Sequence, residues 1–170
     1  MNMINYLNIA VVAVMLLPNI IYAVKVHDFK NLCSSKAMII AENISRFLCI
    51  ALMIFPLGQK EFGFPSAESF IIYIFGNIIL LAVYIVVWIS YFKKANRPKG
   101  VVLSVVPPAI FVLCGLTLEC WMLVFAGVLF GISHIYVTSV NSVKKYSEQK
   151  RAKKEEAKQQ AEQNTEKQEQ

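Results

Sequence analysis

Three side chains stand inside apolar stretches and can carry a proton or a charge there: His134 in LFGISHIYVTSVN, and Glu42 and Arg46, one helical turn apart in AENISRFLC. An imidazole beside a carboxylate is the smallest pair that performs general acid and base work, with Glu42 orienting His134, and a nearby guanidinium would hold an anionic group. The same trio suits a carrier, in which a protonatable group lines a cavity. It also suits plain packing, in which Glu42 and Arg46 neutralise each other and His134 donates to a neighbouring carbonyl.

Other chemistry lacks its minimal parts. The sequence holds no Gly-rich phosphate loop, no HExxH and no Cys-x-x-Cys, which removes nucleotide hydrolysis, zincin chemistry and thioredoxin-like exchange. The four cysteines are scattered and read as small hydrophobes. His27-Asp28 has no second histidine nearby to complete a metal site, so these read as loop residues, and neither metal nor cofactor is expected.

The elements that must position the trio are set by composition. Hydrophobic residues make up 56% of the chain although the last thirty residues are almost wholly polar, which excludes both a soluble domain and disorder over residues 1–140. Crossing a hydrocarbon core of about 30 Å takes roughly 20 apolar residues. Five stretches qualify, at 4–24, 37–57, 69–92, 101–117 and 121–140. The expected fold is all-α, a polytopic bundle of five transmembrane spans over residues 1–140, followed at 141–170 by a charged cytoplasmic helix or tail. Ser34-Ser35 and Pro65-Ser66 are placed to open the second and third helices, and Asn96, Pro98 and Gly100 to form the turn before the fourth. No internal repeat appears, against an inverted-repeat transporter.

Charge sets the orientation. Lys25, Lys30 and Lys36 follow span one, and Lys93, Lys94, Arg97 and Lys99 follow span three, whereas the other two connections carry only Lys60 among basic residues. The positive-inside rule puts the first group in the cytoplasm, the N-terminus outside and the tail inside, in a plasma membrane. No basic residue precedes span one, so it reads as a span and not as a cleaved leader.

Polar residues within spans mark the faces that meet. On span five Gly127 and Gly131 allow close helix approach, or pairing with a second copy, and His134, Thr138 and Asn141 continue that stripe. On span three Asn77, Leu81, Tyr84, Trp88 and Tyr91 share a face, with Asn77 assigned to helix packing. Span one offers Asn19 and Tyr22 after Pro18. At about 1.5 Å per residue, Asn19, Glu42 and His134 each lie on the order of 8 to 9 Å from the cytoplasmic ends of their helices. Pro107 and Pro108 free the carbonyls of Leu103 and Ser104 near that level. A cytoplasm-facing polar pocket follows, lined by Asn19, Tyr22, Glu42, Arg46, Ser104, His134 and Thr138, with Tyr84 and Trp88 as an aromatic wall.

The tail places Lys144, Lys145, Lys150, Arg151, Lys153 and Lys154 close together, with i,i+4 pairs such as Arg151/Glu155. It reads as a solvated helix able to adhere to anionic inner-leaflet lipid. Interleaved glutamates and the lack of aromatic platforms argue against nucleic acid, and no apolar heptad supports a coiled coil.

The segments PNIIYAVK at 18–25, AENISRFLCIALMIFPL at 41–57 and LFGISHIYVTSVN at 129–141 together resemble small uncharacterised membrane proteins of low-GC Gram-positive bacteria. The resemblance implies a bacterial membrane and no activity. The expected function is binding or transport of a small molecule or lipid through the pocket. The alternatives are a membrane scaffold or regulatory subunit, and a membrane-embedded enzyme using His134 and Glu42.

Overall fold

The structure, a computed structural model, describes residues 6–25, 33, 35–55, 64–93 and 96–166. His27-Asp28, Lys30, Ser34, Lys60 and Lys94 lie outside them. Five helices follow one another: α1 Tyr6–Lys25, α2 Lys36–Ile54, α3 Ala67–Lys93, α4 Arg97–Thr117 and α5 Trp121–Glu166. No strand occurs among the described residues. Each helix is long and apolar enough to cross a membrane, with α5 contributing Trp121–Lys144 to its span. The chain is therefore an all-α multi-pass bundle.

Local chemistry explains the helix ends. α2 stops at Ile54, short of the expected 57, because Phe55 is extended (φ −116°, ψ 91°), as a residue before a proline such as Pro56 tends to be. α3 opens on Ser66, whose hydroxyl accepts the Ser69 amide at 3.1 Å and satisfies a donor the helix start leaves unpaired. α4 begins at Arg97, not at 101: Asn96 accepts the Gly100 amide at 3.2 Å, so Pro98 and Gly100 form the first helical turn and not a loop. Proline is tolerated there because its missing N–H is one the helix start would not use. Lys99 then reaches back to the Ser90 carbonyl near the end of α3 at 3.0 Å, and this contact joins the two helices.

Between α4 and α5 the chain reverses in a tight cap. The Cys120 amide bonds the Gly115 carbonyl at 2.8 Å and the Glu119 amide bonds Leu116 at 3.3 Å, while Glu119 takes a left-handed conformation at φ 52°. That is the hydrogen-bond pattern of a Schellman ending, with glutamate where glycine is usual.

α4 is the most enclosed helix, with 56% of its span buried against a third or less of the others. It packs on α3 and α5, and α5 packs on α2, whereas α1 leans on α2 and α3 less extensively. Association in lipid rests on close van der Waals packing, so small residues matter. Gly131 sits where an added Cβ would be 3.2 Å from Pro108, and Gly127 where it would be 3.1 Å from Val112. The Gly127/Gly131 face packs against α4. Apolar side chains such as Phe47, Phe75, Ile79 and Phe125 point outward, as lipid-facing positions do.

Candidate functional site

Two polar clusters tie the helices together, one toward the end of the bundle where α1 begins and one around its middle. In the first, the Asn8 amide donates to the Met53 carbonyl at 2.8 Å, and the Tyr73 hydroxyl donates to Asn8 Oδ1 at 2.7 Å. Asn77 donates to the Tyr73 carbonyl and accepts from the Cys114 thiol at 3.5 Å. Helices α1, α2, α3 and α4 meet there, and every side chain of the cluster is buried. It is a fastening with its capacity used internally. The four cysteines are free thiols and buried.

The second cluster surrounds a space. Glu42, buried on α2, accepts through Oε1 from Arg46 Nη2 one turn along the same helix and from His134 Nδ1 on α5 at 2.9 Å. Phe130 holds both partners in place: the His134 ring stacks on it at 4.9 Å and 20°, and the Arg46 guanidinium lies 5.6 Å from its centroid. Phe130 is itself fixed edge-on to Phe111 on α4 at 5.7 Å. Across the gap, Asn19 on α1 donates to the Tyr84 hydroxyl on α3 at 2.9 Å and to its own helix at Met15.

Between these groups lies a cavity of about 160 Å³, walled by Met15, Leu16, Asn19, Arg46, Ile50, Tyr84, Leu103, Pro107, Phe111, Phe130 and His134. All five helices contribute. Pro107 has no amide hydrogen to offer the Leu103 carbonyl, and both residues face the cavity, so a backbone acceptor is released at its wall. Arg46 lies ten residues from Lys36 and eight from Ile54, which puts it about 12 to 15 Å from either end of α2. A guanidinium at such a depth is costly unless paired or functional.

Of the side chains singled out from sequence, Asn19, Arg46, Tyr84 and His134 stand in the wall, and Glu42 stands directly behind it. Four do not reach it. Ser104 is buried and donates to the Val101 carbonyl of its own helix at 2.7 Å, and the neighbouring Leu103 takes its place. Thr138, half-buried, lies one turn past His134. Tyr22 and Trp88 pack on each other at 5.4 Å, with Tyr91 and Phe92 against Trp88, in an aromatic layer beyond Tyr84. The Trp88 Nε1 is buried with no acceptor among the described residues. Phe130, Phe111 and Ile50 escape sequence reasoning because an aromatic or aliphatic residue in a span looks the same whether it fills a core or lines a void.

Among the described residues no group of histidine, cysteine, aspartate and glutamate could hold a metal ion. No protein-family profile matches the chain, and no curated protein or solved structure is similar to it. Fold and geometry define the class on their own terms: a five-helix multi-pass membrane protein with a charged, partly apolar cavity at its centre.

Proposed function

We propose that this chain is a plasma-membrane protein, N-terminus outside and C-terminus in the cytoplasm, that binds and moves a small molecule or lipid through the central cavity. The observation that carries this reading is the cavity itself, walled by all five helices and holding Arg46 near the middle of a span. A bundle selected only for packing would fill such a space and avoid the guanidinium. Basic residues at the Lys25, Lys36, Lys93 and Lys99 ends support the orientation, and the resemblance of residues 18–25, 41–57 and 129–141 to small Gram-positive membrane proteins supports a bacterial host. The entrance lies along α1: Asn19 is exposed, and α1 is the most loosely packed helix, so its displacement would open the wall at least cost.

The test is a melting-temperature screen of the detergent-purified protein against small acids, amines, sugars and lipids, followed by flux measurement in proteoliposomes. A ligand present well above its dissociation constant raises stability by RT ln(1 + [L]/Kd), and the reading expects at least one compound to do so and to be carried. A flat screen with no flux overturns it.

Catalysis is the weaker reading. Tyr84 is the only hydroxyl or thiol in the cavity wall among the described residues, which leaves the His134–Glu42 pair no aliphatic nucleophile to activate. A scaffold role draws support from α5, which runs on from Lys144 to Glu166, about 33 Å at 1.5 Å per residue. A straight continuation carries Lys150 to Lys154 on the order of 9 to 15 Å past Lys144, beyond the Debye length of about 8 Å at physiological salt. A tail that adheres to anionic lipid does so most strongly near Lys144 and Lys145, and the helix beyond them is the part proposed to meet a partner.

A further inference from the structure

The cavity wall is asymmetric in charge. Its polar groups are the Arg46 guanidinium, the His134 imidazole, the Asn19 amide and the Tyr84 hydroxyl, while Glu42 is buried and outside the wall. Among the described residues, the one formal charge offered to an occupant is positive. Arg46 has five N–H donors in a planar fork suited to carboxylates, and Glu42 engages it through Nη2.

His134 adds a proton site. An ionised carboxylate only accepts hydrogen bonds, so the contact of Glu42 Oε1 with His134 Nδ1 at 2.9 Å assigns the ring hydrogen to Nδ1 and leaves Nε2 as an acceptor. Among the described residues, the charged and titratable groups around this ring are Glu42 and Arg46 on α2, with Tyr84 on α3 across the cavity; α1 and α4 supply none to the wall. With His134 neutral, Glu42 and Arg46 balance each other. An incoming anion would then bury an unmatched negative charge, which is costly, and a proton on Nε2 would cancel that charge.

A weak acid brings the anion and the proton together. The volume limits its body: a cavity of about 150 Å³ lined by apolar side chains holds benzene in another protein, and here the space is about 160 Å³. Seven of the eleven wall residues are apolar, including the Phe111 and Phe130 rings.

We infer that the cavity takes a monocarboxylic acid with a compact apolar body, its carboxylate on Arg46 and its proton on His134 Nε2. The acid O–H bond breaks as the N–H bond forms, the oxygen keeps the electron pair, and no other bond changes. The assignment rests on the reading of the cavity as a ligand site and names its chemistry. The carboxylate can belong to a free acid or to a fatty acid.

The test uses the full chain in detergent. Of the two tryptophans, Trp121 is 71% exposed, and Trp121→Phe leaves Trp88, edge-on to Tyr84 at 6.3 Å, as the reporter of cavity occupation. Benzoate, benzyl alcohol, benzylamine and dodecanoate are titrated at fixed ionic strength, and calorimetry in two buffers of different ionisation enthalpy counts protons taken up. The expected result is that benzoate binds at least about ten-fold tighter than benzyl alcohol, the gain of a charge-assisted hydrogen bond, with about one proton entering per acid bound. Arg46→Gln erases the preference but keeps benzyl alcohol binding, Arg46→Lys restores part of it, and His134→Gln abolishes proton uptake. Dodecanoate in place of benzoate, with the same dependence on Arg46, supports the assignment and identifies the carboxylate as lipid-borne. Equal binding of benzoate and benzyl alcohol, or a preference for benzylamine, overturns the acid assignment and leaves the ligand site standing. Failure of all four to bind the Trp121→Phe protein, when another compound from the melting screen does bind, also overturns the assignment alone. A flat melting screen besides overturns both readings.

Discussion

Glu42 Oε1 meets His134 Nδ1 at 2.9 Å, ninety-two residues apart in sequence, and the same oxygen takes the Arg46 guanidinium. One carboxylate therefore closes α2 on α5 and neutralises a cation deep in a span. The arrangement is asymmetric, because Arg46 depends on Glu42 for its charge partner and His134 does not.

The first prediction follows from that dependence. Glu42→Ala strands Arg46 and costs on the order of 2 to 3 kcal/mol, near the lower end for a broken buried pair because Arg46 is half-buried. His134→Ala removes one hydrogen bond and costs about 1 kcal/mol. Thermal unfolding of the two variants in one detergent checks the order.

A second prediction concerns the end of the bundle where α1 begins. Tyr73→Phe removes the hydroxyl that donates to Asn8 Oδ1 at 2.7 Å and loosens the attachment of α1. Hydrogen bonds between helices in membranes average about 0.6 kcal/mol and reach about 1.7, and this buried one belongs in the upper half of that range. Tyr73 stands outside the cavity wall, but α1 supplies Met15, Leu16 and Asn19 to it, so a looser α1 also weakens ligand binding, and a titration alongside the melting curve reads both effects.

Legibility of the sequence divided along physical lines. Five spans were readable because hydrocarbon thickness fixes their length, and the level shared by Asn19, Glu42 and His134 followed from helical rise. The meeting of Glu42 with His134 across α2 and α5 needed the helix order around the bundle, which rise cannot supply. Ser104 was misplaced toward the cavity because a serine in a helix has an alternative acceptor three residues back, and the Val101 carbonyl takes its hydroxyl. Asn77 had no visible partner because its acceptance from Cys114 joins two helices through a residue that reads as apolar. Asn8 passed unnoticed as an ordinary polar residue near a chain end.

Helix spacing gives a third prediction, and the shortest contact is not the most costly. A Cβ on Gly76 would come within 2.6 Å of Leu113, but of the tip of a flexible side chain; a Cβ on Gly115 would come within 2.8 Å of the Val124 backbone nitrogen. Leu113 rotates away, whereas Val124 moves only with α5. Gly115→Ala therefore destabilises more than Gly76→Ala, by about 1 to 3 kcal/mol in the range of overpacked cores, as paired unfolding curves would report.

The cap between α4 and α5 gives a fourth. Glu119 holds φ 52°, a conformation that costs a residue with a Cβ about 1 kcal/mol or more. Glu119→Gly relieves that strain against a loss of about 0.5 to 1 kcal/mol from the added freedom of the unfolded chain. A small rise in melting temperature is the expected outcome, with Glu119→Ala showing none.

The central claim is that Glu42, Arg46 and His134 are kept for a ligand at a cost to stability. Replacing a buried charge cluster by apolar groups of similar volume is often neutral or stabilising by about 1 to 4 kcal/mol, and sites that bind tend to hold back stability in this way. The most direct measurement is the melting temperature of the triple variant Glu42→Met, Arg46→Leu and His134→Phe beside wild type, each with and without benzoate. The account predicts an equal or higher melting temperature for the triple variant and a ligand-induced rise in wild type alone. A triple variant that melts several degrees lower, with no ligand-induced rise in either protein, would contradict it and make the cluster a fastening between α2 and α5.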